Sequence, residues 1–130
     1  MSKGIAQMQE QRQTVRVDVN VGVSFRVDAQ EVIQKALASR ALNTEGIQLL
    51  VPDRIPLKEQ VELDIHLPNQ QSPIKVSGEV AWTEHLGDVY EGFWRIGVRF
   101  IGLDESARQA IAALIMQELS TLKPIALEER

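Results

Sequence analysis

From Val15 to Val27 every odd position of this chain is apolar: Val15, Val17, Val19, Val21, Val23, Phe25 and Val27. The even positions are Arg16, Asp18, Asn20, Gly22, Ser24 and Arg26. Successive side chains of an extended strand fall on opposite faces, so period two marks a strand with one face buried and the other wet. The run is long for one strand, and Gly22 is the natural place for a bulge or bend in it. Such a strand needs partners to cover its apolar face. The residues before it, Met1–Gln11, are polar and keep no apolar side, and read as a tail.

Further strands follow. Asp28–Gln34 is polar and turns the chain. Lys35–Leu42 is a weaker strand candidate, whose alanines also allow a helical turn. Ile47, Leu49 and Val51 form a short strand that Pro52–Pro56 ends. Val61, Leu63, Ile65 and Leu67 alternate with Glu62, Asp64 and His66, and Pro68–Pro73 makes the next turn, with Asn69 as turn chemistry. Ile74, Val76, Gly78, Val80 and Trp82 share one face, opposite Lys75, Ser77, Glu79 and Thr83. His85–Gly92 reads as a hairpin loop. Trp94, Ile96, Val98 and Phe100 face the core, with Arg95, Gly97 and Arg99 opposite. A helix closes the chain: Asp104 is its N-cap, Ala107, Ile111, Leu114, Ile115, Leu119 and Leu122 are its apolar stripe, and Pro124 is its expected stop, leaving 124–130 as a tail. About six antiparallel strands followed by one amphipathic helix make a small barrel or sandwich with the helix packed on it.

Composition narrows the function. With 130 residues the chain is one domain, large enough to bury a core without staples. It has no cysteine, so it offers no disulfide, thiol nucleophile or thiolate metal site. A net charge of −4 argues against polymeric nucleic acid, which needs a basic footprint. The start lacks the apolar core of a signal peptide, and Ala110–Met116 is far too short to span a bilayer, so a cytoplasmic protein without membrane insertion is expected. His66 and His85 have no ligand partner at i+3 or i+4, which predicts no metal site. No nucleophile elbow, acid–base pair or glycine-rich phosphate loop is present, so no enzyme is expected.

One local feature stands out. Arg12 and Arg16 are spaced by four where the tail meets the first strand. A guanidinium offers two parallel N–H groups, which suits phosphate oxygens and the O6/N7 edge of guanine. Taken alone, such a pair is as readily explained by solubility. Its context is more specific: Gly46-Ile47-Gln48-Leu49, Gly78-Glu79-Val80-Ala81-Trp82, Arg95-Ile96-Gly97-Val98-Arg99-Phe100 and then a helix. From about Gln11 to Leu122 the chain resembles the PilZ domain family.

The resemblance implies a six-stranded antiparallel β-barrel over residues 12–123 with a C-terminal helix, serving as a bacterial receptor for cyclic di-GMP. It assigns Arg12 and Arg16 to the phosphates and guanine edges. The family's second motif, [D/N]-x-S-x-x-G, admits two alignments ending at Gly46. Without a gap, Ala41 takes the Asp/Asn position and Asn43 the Ser position. A shortened version starts at Asn43, with Thr44 supplying the hydroxyl, and is favoured because Arg40-Ala41-Leu42-Asn43 is similar to the start of the family's motif strand. Gln11 stands where many members carry another arginine. Trp82 either stacks on a guanine or continues the apolar face into the barrel, and the second reading is favoured. Trp94 reads as core, while Arg95 and Arg99 either extend a basic surface or are simply solvated.

Two functions follow. In one, the chain is a single-domain cyclic di-GMP receptor, with ligand-binding residues Arg12, Arg16, Asn43, Thr44, Gly46 and Trp82 and no cofactor, that alters a surface shown to an effector of a motility, pilus or exopolysaccharide system. In the other it is an adaptor that binds its partner without the nucleotide, using an apolar patch at Met116, Leu119 and Leu122. Both admit a monomer or a homodimer.

Overall fold

The computed structural model describes residues 21–28, 30–87 and 92–128, with residues 121–128 described by backbone alone. The elements are β1 (Gly22–Val27), β2 (Gln34–Lys35), β3 (Ala38–Arg40), β4 (Gly46–Val51), β5 (Gln60–His66), β6 (Ile74–His85), β7 (Trp94–Ile101) and α1 (Glu105–Glu128). All strands join one antiparallel sheet in the order β2-β1-β5-β6-β7-β4-β3. The described strands thus number seven where six are expected. The extra one arises because the Lys35–Leu42 candidate divides: its first part pairs with β1 and its second with β4.

That division closes the sheet. β2 and β3 are opposite edges of the sheet yet lie three residues apart in the chain. Between them the Ala36 N–H donates to the Val23 carbonyl and the Leu37 N–H to the Leu50 carbonyl. One short stretch therefore bridges both edges and curls the sheet into a barrel. Ser39 completes the closure: the Val21 N–H donates to its Oγ at 3.0 Å, and its hydroxyl donates to the Val21 carbonyl at 2.7 Å. Ser39 is buried, and this pair of bonds satisfies it.

The alternating apolar residues fill the interior. Val23, Phe25 and Val27 of β1 meet Leu49 and Val51 of β4, Val61, Leu63 and Ile65 of β5, and Ile96 and Val98 of β7 in one buried cluster. Gly22 pairs with His66 in the same register as the rest of β1, so the described part of that strand has no bulge. The helix adds Ala107, Ala110, Ile111, Leu114 and Ile115 to the cluster. Its start is capped as the sequence predicts, with Asp104 Oδ1 accepting from the Ala107 N–H at 2.7 Å. Its end is not where Pro124 predicts, since the helix continues to Glu128. A proline removes one hydrogen bond and crowds one carbonyl, and both effects are confined to a single turn of the ladder.

Among the described strands a bulge lies in β6. Its register against β7 slips between Val80 and Trp82, leaving Ala81 as the extra residue. Before the slip, Ile74, Val76, Gly78 and Val80 face inward; after it, Thr83 pairs with inward-facing Ile96, and Trp82 is turned out beside Gly97. The loop before β5 holds the slip in place, because the Val80 carbonyl accepts from the Lys58 N–H and the Val80 N–H donates to the Glu59 carbonyl. β6 also runs to His85, which belongs to the strand rather than to the following loop. There His85 packs on half-buried Trp94 with ring centroids 4.5 Å apart.

Candidate functional site

The bulge decides the fate of Trp82. Parity along Ile74–Val80 assigns the indole to the interior, but the slip places it on the outer surface, 37% exposed. The favoured core reading of Trp82 is therefore wrong. The ring lies against Gly97 of β7, where a Cβ would collide with the indole Nε1 and Cε2. Gly97 faces outward yet is buried, because the indole covers it. Trp82 thus forms an apolar plate laid on the barrel wall.

Beside the plate, β4 begins with a tight turn. Asn43 Oδ1 accepts from the Glu45 N–H at 2.7 Å and from the Gly46 N–H at 2.9 Å, and the Asn43 N–H donates to the Gly46 carbonyl at 3.0 Å. This is the local carboxamide–backbone pairing that makes asparagine a turn residue. Asn43 is 6% exposed, and its carboxamide oxygen is committed to the turn. Gly46 then enters β4 so close to β7 that a Cβ would strike the Val98 carbonyl oxygen. Two residues upstream of the turn, Ala41 has φ of +56°, in the left-handed region that asparagine and aspartate adopt more readily than alanine.

These parts enclose an open recess of about 180 Å³ on the outer face, lined by Ala41, Asn43, Gly46, Gln48, Trp82 and Arg99 among others. Three of the residues singled out in the sequence, Asn43, Gly46 and Trp82, meet there. Thr44 is half-buried in the turn and is not part of the lining. Arg12 and Arg16 lie outside the described residues. The sequence leaves Arg99 as either an extension of a basic surface or a solvated residue, and the structure stands it at this recess with its guanidinium paired to Glu79 across the strands. Pairs this exposed contribute little to stability, so Arg99 can exchange its carboxylate for another anion at small cost. The sequence assigns Gln48 no part in a binding site. Its role as lining follows from register, since Gln48 pairs with Gly97 and Gly97 carries the indole.

The plate gives a direct optical handle. Gly97→Ala is expected to push the indole off the sheet, because the new Cβ takes its place. In a Trp94→Phe background the emission of Trp82 should then shift to the red, with a small loss of stability. An unchanged emission maximum would show that the indole does not rest on Gly97.

Among the described residues no group of three His, Asp or Glu side chains is placed to hold a metal ion, and no helix is long and apolar enough to cross a membrane.

Comparison with known proteins agrees with this architecture. The structure of the Bacillus subtilis inhibitor of motility MotI/DgrA superposes with a TM-score of 0.68 at 18% identity, covering 84% of this chain and 52% of that one. This chain therefore spans about half the length of that relative. The PilZ domain of YcgR from Escherichia coli, solved with cyclic di-GMP, gives 0.64 at 10% identity, covering 89% and 98%. The PilZ domain of CeSA from a cellulose-synthesizing bacterium gives 0.55 at 10% identity, covering 78% and 95%. Identities this low establish a shared fold. No curated protein sequence matches the chain. The PilZ domain family profile matches residues 10–117, most of the chain. A curled antiparallel barrel with a C-terminal helix, matched by that profile over nearly its whole length, makes this chain a member of the PilZ domain family.

Proposed function

We propose that the chain is a cyclic di-GMP receptor whose ligand lies on the outer barrel face at Trp82 and is clamped by Arg12 and Arg16. The observation that carries this reading is the bulge-exposed indole beside the Asn43–Gly46 turn. A part-exposed aromatic on the outer face of a sheet is costly to leave wet and suits a planar base, with stacking typically worth ~1–3 kcal/mol per base. The E. coli domain solved with cyclic di-GMP shares the fold.

Reach supports the clamp. Val21 is fixed to Ser39 by two hydrogen bonds, and Ser39 lies four residues before Asn43. Arg16 is five residues before Val21, a chain length that spans at most roughly 18 Å at ~3.3–3.6 Å per residue. The turn geometry favours the ungapped form of the second motif over the shortened one. The left-handed Ala41 occupies the Asp/Asn position, a conformation those residues suit, and Asn43 occupies the Ser position while holding Gly46 in place. On this reading Thr44 leaves the contact set, and Asn43 acts by shaping the turn. Contact of the arginine segment with the bound ligand would then change the surface offered to an effector protein.

Isothermal titration with cyclic di-GMP tests this. We expect saturable heat with a change in Trp82 emission; no heat and no emission change at high micromolar ligand would sink the reading. The adaptor reading keeps one observation in its favour: Met116 is 63% exposed on α1, next to part-exposed Leu119. A partner retained equally with and without nucleotide would favour it.

A further inference from the structure

A second recess adjoins the first on the same outer face. It measures about 190 Å³ and is lined by Ala38, Arg40, Gln48, Leu50, Leu86 and Arg95 among others. Strand register shows how the two are joined. One row across the sheet runs Arg40, Gln48, Gly97 and Trp82; the neighbouring row runs Ala38, Leu50, Arg95 and Glu84. Gln48 stands between the recesses and lines both. With strands ~4.8 Å apart, Arg40 lies roughly 10 Å from the Gly97 position under the indole.

The chemistry of this second recess is specific. Leu50 and Leu86 are half-buried and give it an apolar floor. Arg40 and Arg95 flank that floor from β3 and β7. Among the described residues Arg40 makes no ion pair. Arg95 makes one, through Nη1 to the exposed Glu84 at 3.3 Å, which leaves its other N–H groups available. Two guanidinium groups beside a leucine floor, with a carboxamide at the border, suit a flat ring that carries hydrogen-bonding edges and an attached anion. An all-apolar guest would leave Arg40 and the remaining N–H groups of Arg95 unused, and a bare anion would leave the leucines wet.

We propose that this second recess is a purine-nucleotide subsite, with the ring on Leu50 and Leu86 and the phosphate between Arg40 and Arg95. The assignment rests on the reading of the first recess only in that Gln48 makes the two contiguous. The nucleotide has two possible sources: the distal half of the dinucleotide held at Trp82, or a separate mononucleotide.

Amide and indole NMR spectra of the full ¹⁵N-labelled chain, titrated separately with cyclic di-GMP and with GMP, distinguish these. Leu50, Leu86 and Arg95 amides report on the second recess, and the Trp82 indole N–H reports on the first. Cyclic di-GMP moving both sets in step at one equivalent supports the distal half. GMP moving the Leu50, Leu86 and Arg95 signals without the indole supports a separate nucleotide. In either case Arg40→Ala should weaken binding at the second set at least fivefold. The proposal is overturned if neither nucleotide moves that set at millimolar concentration, or if Arg40→Ala leaves its titration unchanged. A silent Trp82 indole alone counts against the first recess and leaves the GMP arm to decide the second.

Discussion

Gly46→Ala should lower the unfolding temperature by roughly 10 °C, a loss of about 2–3 kcal/mol for a domain of this size. The added methyl has nowhere to go. It would strike the Val98 carbonyl oxygen, with the Val98 carbonyl carbon at 3.3 Å and the Arg99 Cα at 3.4 Å just behind. All three are backbone, so relief requires β4 and β7 to separate where Gly46 pairs with Arg99. Separation would also strain the turn, because the Phe100 N–H donates to the Glu45 carbonyl. The matched control is Gly22→Ala. There the nearest atoms are His66 Cβ at 3.8 Å and Cδ2 at 3.9 Å, an ordinary contact. Its φ is not positive, so alanine should leave stability unchanged within about 0.5 kcal/mol or raise it slightly. Thermal melts of the two variants decide the matter, and equal midpoints would show that the close approach of β4 to β7 is not real.

The other large effect concerns affinity. On the proposed function, Arg12→Ala combined with Arg16→Ala should weaken cyclic di-GMP binding by a factor of about 100 or more, with the melting temperature unchanged. Hydrogen bonds to charged groups contribute ~1.5–3 kcal/mol each, and every ~1.4 kcal/mol is tenfold in affinity. The two arginines precede Val21 in sequence, and the described core is built from apolar residues from Val21 onward, so their loss should not reach the fold. The loss should shrink as salt rises, since screening already weakens these contacts in the parent chain. A double variant with the parent's dissociation constant would remove both arginines from the site. Arg40→Ala in the same assay separates the clamp from the second recess.

How far the sequence foretells this structure depends on which residues carry the information. β4, β5 and β7 are legible within a residue or so, because Ile47–Val51, Val61–Leu67 and Trp94–Phe100 alternate cleanly and end at turn residues. Asp104 is legible as a cap because its chemistry is local. Gln34–Arg40 is not, since pieces of two and three residues are too short to display a period. Their strand character comes from the partners they bridge. The bulge is hidden for a different reason: alternation before Val80 predicts alternation after it, and nothing at Ala81 announces a slip. Part of the signal lay elsewhere in the chain. Gly97 interrupts the row of Arg95 and Arg99 with a residue that has no side chain, leaving bare sheet for some other group to cover. The second recess draws Leu50 from β4 and Leu86 from the end of the β6–β7 hairpin, and only the register of four strands brings them together.

The slip at Ala81 separates two properties that a strand normally binds together. In a regular strand a residue's identity and its side of the sheet are tied, so an aromatic moved outward must be replaced in the core. Here the side on which Trp82 stands is set by one inserted residue and by the Lys58–Glu59 loop that grips Val80, while its aromatic character is set at position 82 itself. Those two variables can change independently. The barrel can keep its interior untouched while its outer wall is refitted for a different flat guest.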